Sequence, residues 1–218
     1  MKCNHSYRAI VFEEEDSLNF LPKMFSEPDG YEFSDHIISG VSNEAKSKLP
    51  QADRIGNTYV ELLSASKGNG SANFPQDNDG VIRRAPTAIY FEGADHVYPS
   101  LVMSAVIDIL GIKKDGGVGY DFKNNVLNLI DTTDTVVRTI PIDDNGRMYV
   151  NYFGKFQTFY YLPYSYCMDP EMLPPDYWEG KVAFVGASLP GLMDLRNTPV
   201  QETFAGVEIH ANVMHSIL

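Results

Sequence analysis

The chain has 218 residues, of which 44% are hydrophobic and 21% are charged, a composition typical of a globular protein long enough to bury a full core. The formal net charge of −12 argues against binding to nucleic acids, which rely on Lys and Arg at phosphates, and against adhesion to anionic membranes. The sequence contains neither an apolar run of the roughly 20 residues that span a bilayer nor a signal peptide.

The N-terminal part begins with residues 7–12, a mostly apolar run that predicts a strand. The four acids at 13–16 predict a solvated loop, with a cation site as the alternative. Residues 18–40 are irregular and polar, and they predict a surface excursion. Ser42 is the residue type that caps a helix, and Pro50 marks where that helix has ended.

The middle of the chain combines strand patterns with one helix. Residues 81–91 predict a long strand, in which Pro86 indicates an edge position or a bulge. Residues 101–110 have apolar side chains all round, which predicts a buried helix that ends at Gly111. Three further strand patterns predict an antiparallel hairpin or meander. They lie at residues 126–130, 136–142 and 148–153.

Two acidic turns of similar sequence lie at residues 77–80 and 143–146. Asp and Asn cap their own backbone in such turns, and the final Gly adopts a positive φ. Calcium binding is the alternative for the first turn. An EF-hand loop beginning at Asp77 would, however, need Gly and Glu where Ile82 and Ala88 stand. We therefore expect structural turns.

The C-terminal stretch 180–218 predicts a strand, a loop of small residues and a helix. Val182–Val185 is a continuous apolar run, which is typical of a strand buried on both faces of a sheet. Ile209, Val213 and Ile217 recur at helical spacing and predict a helix packed on that sheet. Ligands of open α/β sheets bind beside such loops, so the loop is a candidate ligand site.

The candidate ligand residues begin in this loop. Gly186 and Ser188 could present backbone N–H groups to an anion, although tight packing is the alternative and no P-loop or dinucleotide spacing is present. Asp194 and Arg196 are polar residues of the same loop. Arg83 could hold a carboxylate, although pairing with a nearby Asp is the commoner arrangement for an arginine after an acidic turn.

Glu208 and His210 extend the candidate ligand site to the start of the last helix. Glu208, Asn212 and His215 could share one polar stripe of that helix. The alternative is a structural helix start, with Glu208 at the positive end of the helix dipole and His210 or Asn212 bonded to the loop. The spacing of His210 and His215 does not suit a zinc pair, and we predict no metal site.

Catalytic chemistry has no adequate set of residues in this sequence. Neither a Ser/His/Asp nor a Cys/His motif stands out. Cys3 and Cys167 are too few for a disulfide framework, and whether they pair stays open. Cys167 also lacks a cationic neighbour that would activate its thiol.

A series of short motifs nevertheless runs in order over residues 74–218. They are D-x-D-G-V-x-R-R-x-P at 77–86, P-S-L at 99–101, P-x-D-x-x-G-R-x-x-x-N-Y at 141–152, G-K-V-x-F-V-G-A-S-x-P-G-x-x-D at 180–194, T-P at 198–199 and G-V-E-I-H-A-N at 206–212. No single motif is specific, but the series resembles the type-two CHASE domain, the cyclase/histidine-kinase-associated sensory extracellular domain. Residues 13–50 look unlike that family, and its opening βα segment is missing.

This resemblance implies the extracytoplasmic sensor of a bacterial receptor, periplasmic or on the cell surface, between membrane helices absent from this chain. It implies a cytoplasmic nucleotide cyclase or histidine kinase as output, and a homodimer. It carries over neither a catalytic residue nor a known ligand. The ligand is expected to be an unknown small molecule or a protein, and no cofactor or nucleic acid is expected.

We therefore predict a single α/β domain over residues 1–218, with a mixed β-sheet and flanking helices. Residues 182–185 form its central buried strand, and an antiparallel meander lies within residues 81–153. The predicted function is non-catalytic sensing. The alternatives are a hydrolase that uses the 186–196 loop with Asp194 and His210, and a pure dimerisation or partner-binding module.

Overall fold

A computed structural model describes residues 7–10, 12–13, 37–55, 65–169, 171–174, 176–188 and 195–218. The helices are α1 (Asn43–Lys48), α2 (Leu101–Ile109), α3 (Tyr164–Met168) and α4 (Gly206–Ile217). The strands are β1 (Tyr7–Ile10), β2 (Phe12–Glu13), β3 (Gln51–Ala52), β4 (Arg54–Ile55), β5 (Gly68–Ser71), β6 (Arg84–Pro86), β7 (Ala88–Phe91), β8 (His96–Pro99), β9 (Val118–Asp121), β10 (Val126–Ile130), β11 (Val136–Pro141), β12 (Arg147–Tyr149), β13 (Leu195–Arg196) and β14 (Phe204–Ala205). Helices combined with parallel and antiparallel strand pairs confirm the predicted α/β class.

The strands form several small sheets. β3, β7 and β8 make a mixed sheet, with β3 parallel and β8 antiparallel to β7. β9, β10 and β11 make an antiparallel meander, in which β10 and β11 form the predicted hairpin and β9 is a strand that was not predicted. β6 pairs antiparallel with β12, and β1 pairs parallel with β5. β2 pairs antiparallel with β4, and β13 with β14.

The meander predicted within residues 81–153 is therefore divided among three sheets. α2 separates β8 from β9, and the predicted strand is interrupted at Thr87, between β6 and β7. Pro86 ends β6, which agrees with its expected place at an irregularity because proline lacks the N–H that continues a ladder. The predicted strands at 81–91 and 148–153 are thus shorter than expected, at Arg84–Pro86, Ala88–Phe91 and Arg147–Tyr149, and their partners are set by the packing of distant segments.

Ser42 caps a helix as predicted, and Ser100 caps another helix although no cap was predicted there. The Ser42 hydroxyl accepts a hydrogen bond from the Ala45 N–H at 3.2 Å, and the Ser100 hydroxyl accepts one from the Met103 N–H at 3.2 Å. Each bond satisfies a donor that the first helical turn leaves unpaired. Gly111 follows α2 with a φ of +63°. Within the described ranges, no helix has the length and apolarity needed to cross a bilayer.

The core lies where α2 and α4 pack together beside the meander. On β10, Leu127 and Leu129 are fully buried and alternate with partly exposed neighbours, as one buried face of a strand requires. On α4, Ile209, Val213 and Ile217 are buried, which confirms the predicted apolar stripe. Because these residues face the core, the opposite face of α4 points away from it.

The predicted central strand at residues 182–185 is wrong. Residues 181–188 form no regular secondary structure, and Val182 and Val185 are 51% and 83% exposed. A strand exists only where neighbouring strands take up its N–H and C=O groups. In the described part of the chain no strand pairs with this run, so its apolar character alone did not make it a strand.

Candidate functional site

The start of α4 brings several of the predicted site residues together. A Cβ atom at Gly186 would lie 2.8 Å from Cβ of Val207, closer than two side chains can approach. Gly186 therefore packs directly on the first turn of α4, and only glycine allows this contact. Arg196 lies on β13, which pairs with β14 just before α4 begins.

His210 lies between two aromatic rings on the second turn of α4. Its ring centroid is 4.5 Å from that of Phe74 and 6.4 Å from that of Phe184, and the Phe184 ring is nearly parallel to it. Burial lowers the pKa of His210 from 6.5 to about 4, because the low-dielectric surroundings disfavour the charged form. His210 is therefore a neutral imidazole near pH 7, able to donate one hydrogen bond and accept another.

Glu208 is the most deeply buried acid of this region, with 2% of its surface exposed. Its Oε1 accepts hydrogen bonds from the N–H groups of Thr158 at 2.9 Å and Phe159 at 3.3 Å. Its Oε2 accepts from the Gln157 N–H at 2.9 Å and the Tyr161 hydroxyl at 3.0 Å. Burial and the bond to Glu208 raise the pKa of Tyr161, which keeps its hydroxyl protonated as a donor. The buried charge is thus matched by the protein's own donors.

The polar stripe of α4 differs by one residue from the predicted one. The Asn212 Oδ1 accepts from the Phe153 N–H at 3.1 Å, and the Ser216 hydroxyl accepts from the Asn151 N–H at 3.3 Å. His215 is exposed and packs its ring on Phe153 at 4.1 Å. Ser216 was missed, although the spacing of i, i+4 and i+8 from Glu208 would have found it.

Arg83 lies on the first acidic turn. Its guanidinium binds Asp79 with two hydrogen bonds of 2.9 and 2.8 Å, and it reaches Asp77 at 3.3 Å. The hydrogen bonds from Arg83 lower the pKa of Asp79 to about 2. Arg83 is thus engaged with acids of its own turn, the alternative named for it above.

Arg84 joins the two acidic turns. Its Nη2 is 2.6 Å from Asp77 Oδ1, and its Nη1 is 2.9 Å from Asp143 Oδ2, which Arg147 also binds at 2.9 Å. Desolvation alone would raise the pKa of Asp77 and of Asp143, but their hydrogen bonds to arginines and backbone lower both below the ordinary value. The pairing of β6 with β12 brings the turns face to face.

Both turns have the predicted backbone chemistry. The Asp79 carboxylate accepts from the Val81 N–H, and the Asp143 carboxylate accepts from the Asn145 N–H. Glycines that close these turns, at positions 80 and 146, have φ values of +79° and +67°. Across the residues for which side chains are described, no group of three His, Cys, Asp or Glu could hold a metal ion.

The predicted site residues are therefore only partly brought together. Gly186, Glu208 and His210 meet at the start of α4, and Ser188 lies in the irregular stretch 181–188. Arg83 belongs to the acidic turns instead. Asp194 lies outside the described residues, as does Cys3, whereas Cys167 is a free thiol. The part these residues play in ligand binding stays a prediction.

A shallow cavity of about 200 Å³ lies at the other end of α4. It is lined by Arg138, Thr139, Ile140, Pro141, Met148, Tyr149, Asn151, Ser216 and Ile217. Arg138 donates hydrogen bonds to the carbonyls of Ile217 at 3.1 Å and Leu218 at 2.9 Å, which caps the helix C-terminus. The cavity is smaller than the roughly 300–1,000 Å³ of typical small-molecule sites.

The sequence model of one protein family, described as the CHASE2 domain, matches residues 9–218. This range includes residues 13–50, so the expected departure of that stretch from the family is corrected. No curated protein and no solved structure matches the chain.

Proposed function

Because the chain belongs to the CHASE2 domain family, a family of sensory domains found in signalling receptors, we propose that it is the extracytoplasmic sensor of a bacterial transmembrane receptor. The observation that carries this proposal is the family match over residues 9–218. Membership in a sensory family also argues against the hydrolase alternative.

The proposed sensor works by ligand-dependent selection between two conformations. A ligand shifts such an equilibrium only by the difference between its affinities for the two states. We expect α4, the last helix of the domain, to pass the shift to a membrane helix. In a homodimeric receptor this movement would control a cytoplasmic nucleotide cyclase or histidine kinase.

The start of α4 is the proposed place of ligand contact. It combines aromatic rings with His210, whose neutral imidazole suits a polar uncharged group better than an anion. Gly186 packs on Val207 in the first turn of α4, and Arg196 lies on the adjoining strand. Ser188 and Asp194 belong to the same stretch of sequence.

The location is tested by labelling a cysteine in the full-length receptor. Asn124 is exposed in the turn between β9 and β10, so Asn124→Cys should fold normally in a receptor whose other cysteines, Cys3 and Cys167 among them, are replaced by serine. We expect a membrane-impermeant maleimide to label this cysteine in cells whose cytoplasmic membrane is intact. Labelling only after lysis of the cells would contradict an extracytoplasmic location.

The sensory role is tested by a thermal-shift screen of small molecules on the chain. A ligand bound to the native state raises the melting temperature by mass action. We expect a hit whose effect disappears in His210→Ala and Arg196→Ala but persists in Lys123→Ala, a change in the exposed β9–β10 turn. A protein that binds the chain when no compound does would favour the partner-binding module instead.

A further inference from the structure

Three side chains on one face of α4 hold a single segment of the chain, residues 151–161. Ser216, Asn212 and Glu208 follow each other at intervals of one helical turn, and each accepts hydrogen bonds from backbone N–H groups of that segment. The bonds begin at Asn151 and end at Tyr161. The segment therefore runs along the helix and is fastened at three levels.

The strongest fastening is a backbone nest around the Glu208 carboxylate. Gln157 has a φ of +69°, and this left-handed conformation points successive N–H groups into one concavity. The N–H groups of Gln157, Thr158 and Phe159 all donate to the carboxylate. A strained non-glycine backbone is maintained only where its surroundings support it, and here Glu208 provides that support.

Two of the three helix side chains are also held by the backbone of the helix itself. The Ser216 hydroxyl donates to the backbone carbonyl of Asn212 at 2.6 Å, and the side-chain amide of Asn212 donates to the backbone carbonyl of Glu208 at 2.8 Å. Each of these side chains is thus oriented by the backbone one turn before it.

The segment itself has no helix or strand to hold its backbone. Its inner side chains pack inward: Phe156 contacts Tyr161 at 5.4 Å and Phe204 at 6.4 Å between ring centroids. Its outer side exposes aromatic rings, with Tyr160 81% exposed. The position of this outer surface therefore depends on this packing, on the bond of 3.1 Å from the Phe156 N–H to the Gln201 Oε1, and on the bonds to α4.

We propose that Glu208, Asn212 and Ser216 form a latch that holds residues 151–161 on α4, so that a displacement of the segment is passed along the helix. The latch opens as a unit, because its three levels share one helix face and one run of backbone. This inference rests on the proposed sensory function and names the connection between the surface of the domain and its last helix.

Amide exchange of the chain, followed by NMR, tests the latch. Glu208→Gln keeps the shape but replaces one acceptor oxygen with an NH₂ group that faces two donors. We expect the amides of Gln157, Thr158 and Phe159 to exchange about tenfold faster, and those of Phe153 and Asn151 to follow. Amides of β10 should keep their protection. Loss of amide protection confined to residues 157–159, or no loss of protection at all, would overturn the proposed latch.

Two further variants keep this test decisive. Glu202→Gln changes an exposed acid just before β14 and should leave all these amides protected. Tyr161→Phe removes one of the four bonds to the carboxylate without touching its charge. If Glu208→Gln fails to fold, Tyr161→Phe should still accelerate exchange at the same amides about threefold, and an unchanged rate would overturn the proposal.

The full-length receptor tests the transmission. We expect Glu208→Gln to shift the basal cyclase or kinase output, and Glu202→Gln to leave it unchanged. Output that is unchanged despite lost amide protection would overturn the transmission. A domain located in the cytoplasm would defeat the proposed function instead, and the exchange experiment would still decide whether the latch exists.

Discussion

His210 and Gly186 show how single residues at the start of α4 acquire their properties. An isolated histidine has a pKa near 6.5, but the aromatic rings around His210 remove it from water and keep it neutral. Gly186 is required because Val207 occupies the space that a Cβ atom would need. Both properties arise from neighbours that are distant in sequence.

The stability of the chain should fall as the pH is lowered from 6.5 toward 4. In this window the unfolded chain protonates His210, whereas the folded chain does not, so protonation favours unfolding. The loss should reach about 3 kcal/mol near pH 4, since one unit of pKa shift is worth about 1.4 kcal/mol. Urea unfolding at several pH values measures it. His210→Asn should flatten the slope, whereas the exposed His215→Asn should keep it, and equal slopes would contradict the assignment.

Gly186→Ala should destabilise the chain by about 1–3 kcal/mol, because the new methyl group overlaps the Val207 side chain. The melting temperature measures this effect. Gly180→Ala is less suitable as a control because Gly180 has a φ of +66°. Ala183→Gly, in the exposed irregular stretch, is the better control and should change little. A Gly186→Ala variant as stable as the parent would contradict this prediction, because it would show that Val207 moves aside at little energetic cost.

The paired acidic turns are best understood at the scale of elements. β6 and β12 each follow one turn, and their antiparallel pairing places Arg84 between Asp77 and Asp143. These two acids are largely buried, with 12% and 15% of their side chains exposed. Removing the bridging charge would leave both of them short of a partner, which is costly in a partly buried site.

Arg84→Met should therefore cost about 1–3 kcal/mol in the free energy of unfolding, as expected for partly buried charged hydrogen bonds. Arg83→Met is the matched control, because its main partner Asp79 is 54% exposed and such pairs contribute less than about 1 kcal/mol. Chemical denaturation compares the two variants. Equal losses would show that the bridge between the turns does not stabilise the pair of strands.

At the scale of the whole molecule, one apolar cluster connects α2, α4, the meander and Ile82, which lies just before β6. A smaller cluster lies around Phe91 and Tyr98, and strands β7 and β8 contribute to both clusters through residues such as Val97. When elements pack through shared buried side chains, the unfolding of one element removes the packing of the others. The single domain over residues 1–218 stays a prediction.

The chain should accordingly unfold in one cooperative transition. Far-ultraviolet circular dichroism reports the helices, and near-ultraviolet dichroism reports the packing of aromatic rings. The two curves should coincide over a urea titration, because both depend on the same core. Two separated transitions would contradict the single domain. The elements that unfold in the first transition would then belong to a separate domain.

Sequence patterns alone determined the features that depend on neighbours within a few residues. The cap at Ser42, the positive φ of the turn glycines and the buried stripe of α4 are of this kind. Each of these features involves residues only a few positions apart in the chain, so the local sequence is sufficient to predict it. The ordered motifs likewise identified the family.

The tertiary structure alone decided which segments meet. The apolar run at residues 182–185 had the composition of a buried strand but found no strand partner, so it is irregular and exposed. Glu208 was predicted as a ligand residue from its place on the helix, yet its carboxylate binds backbone some 50 residues earlier in the chain. Such contacts depend on the closure of long loops and on which surfaces compete for burial, and no local pattern encodes either.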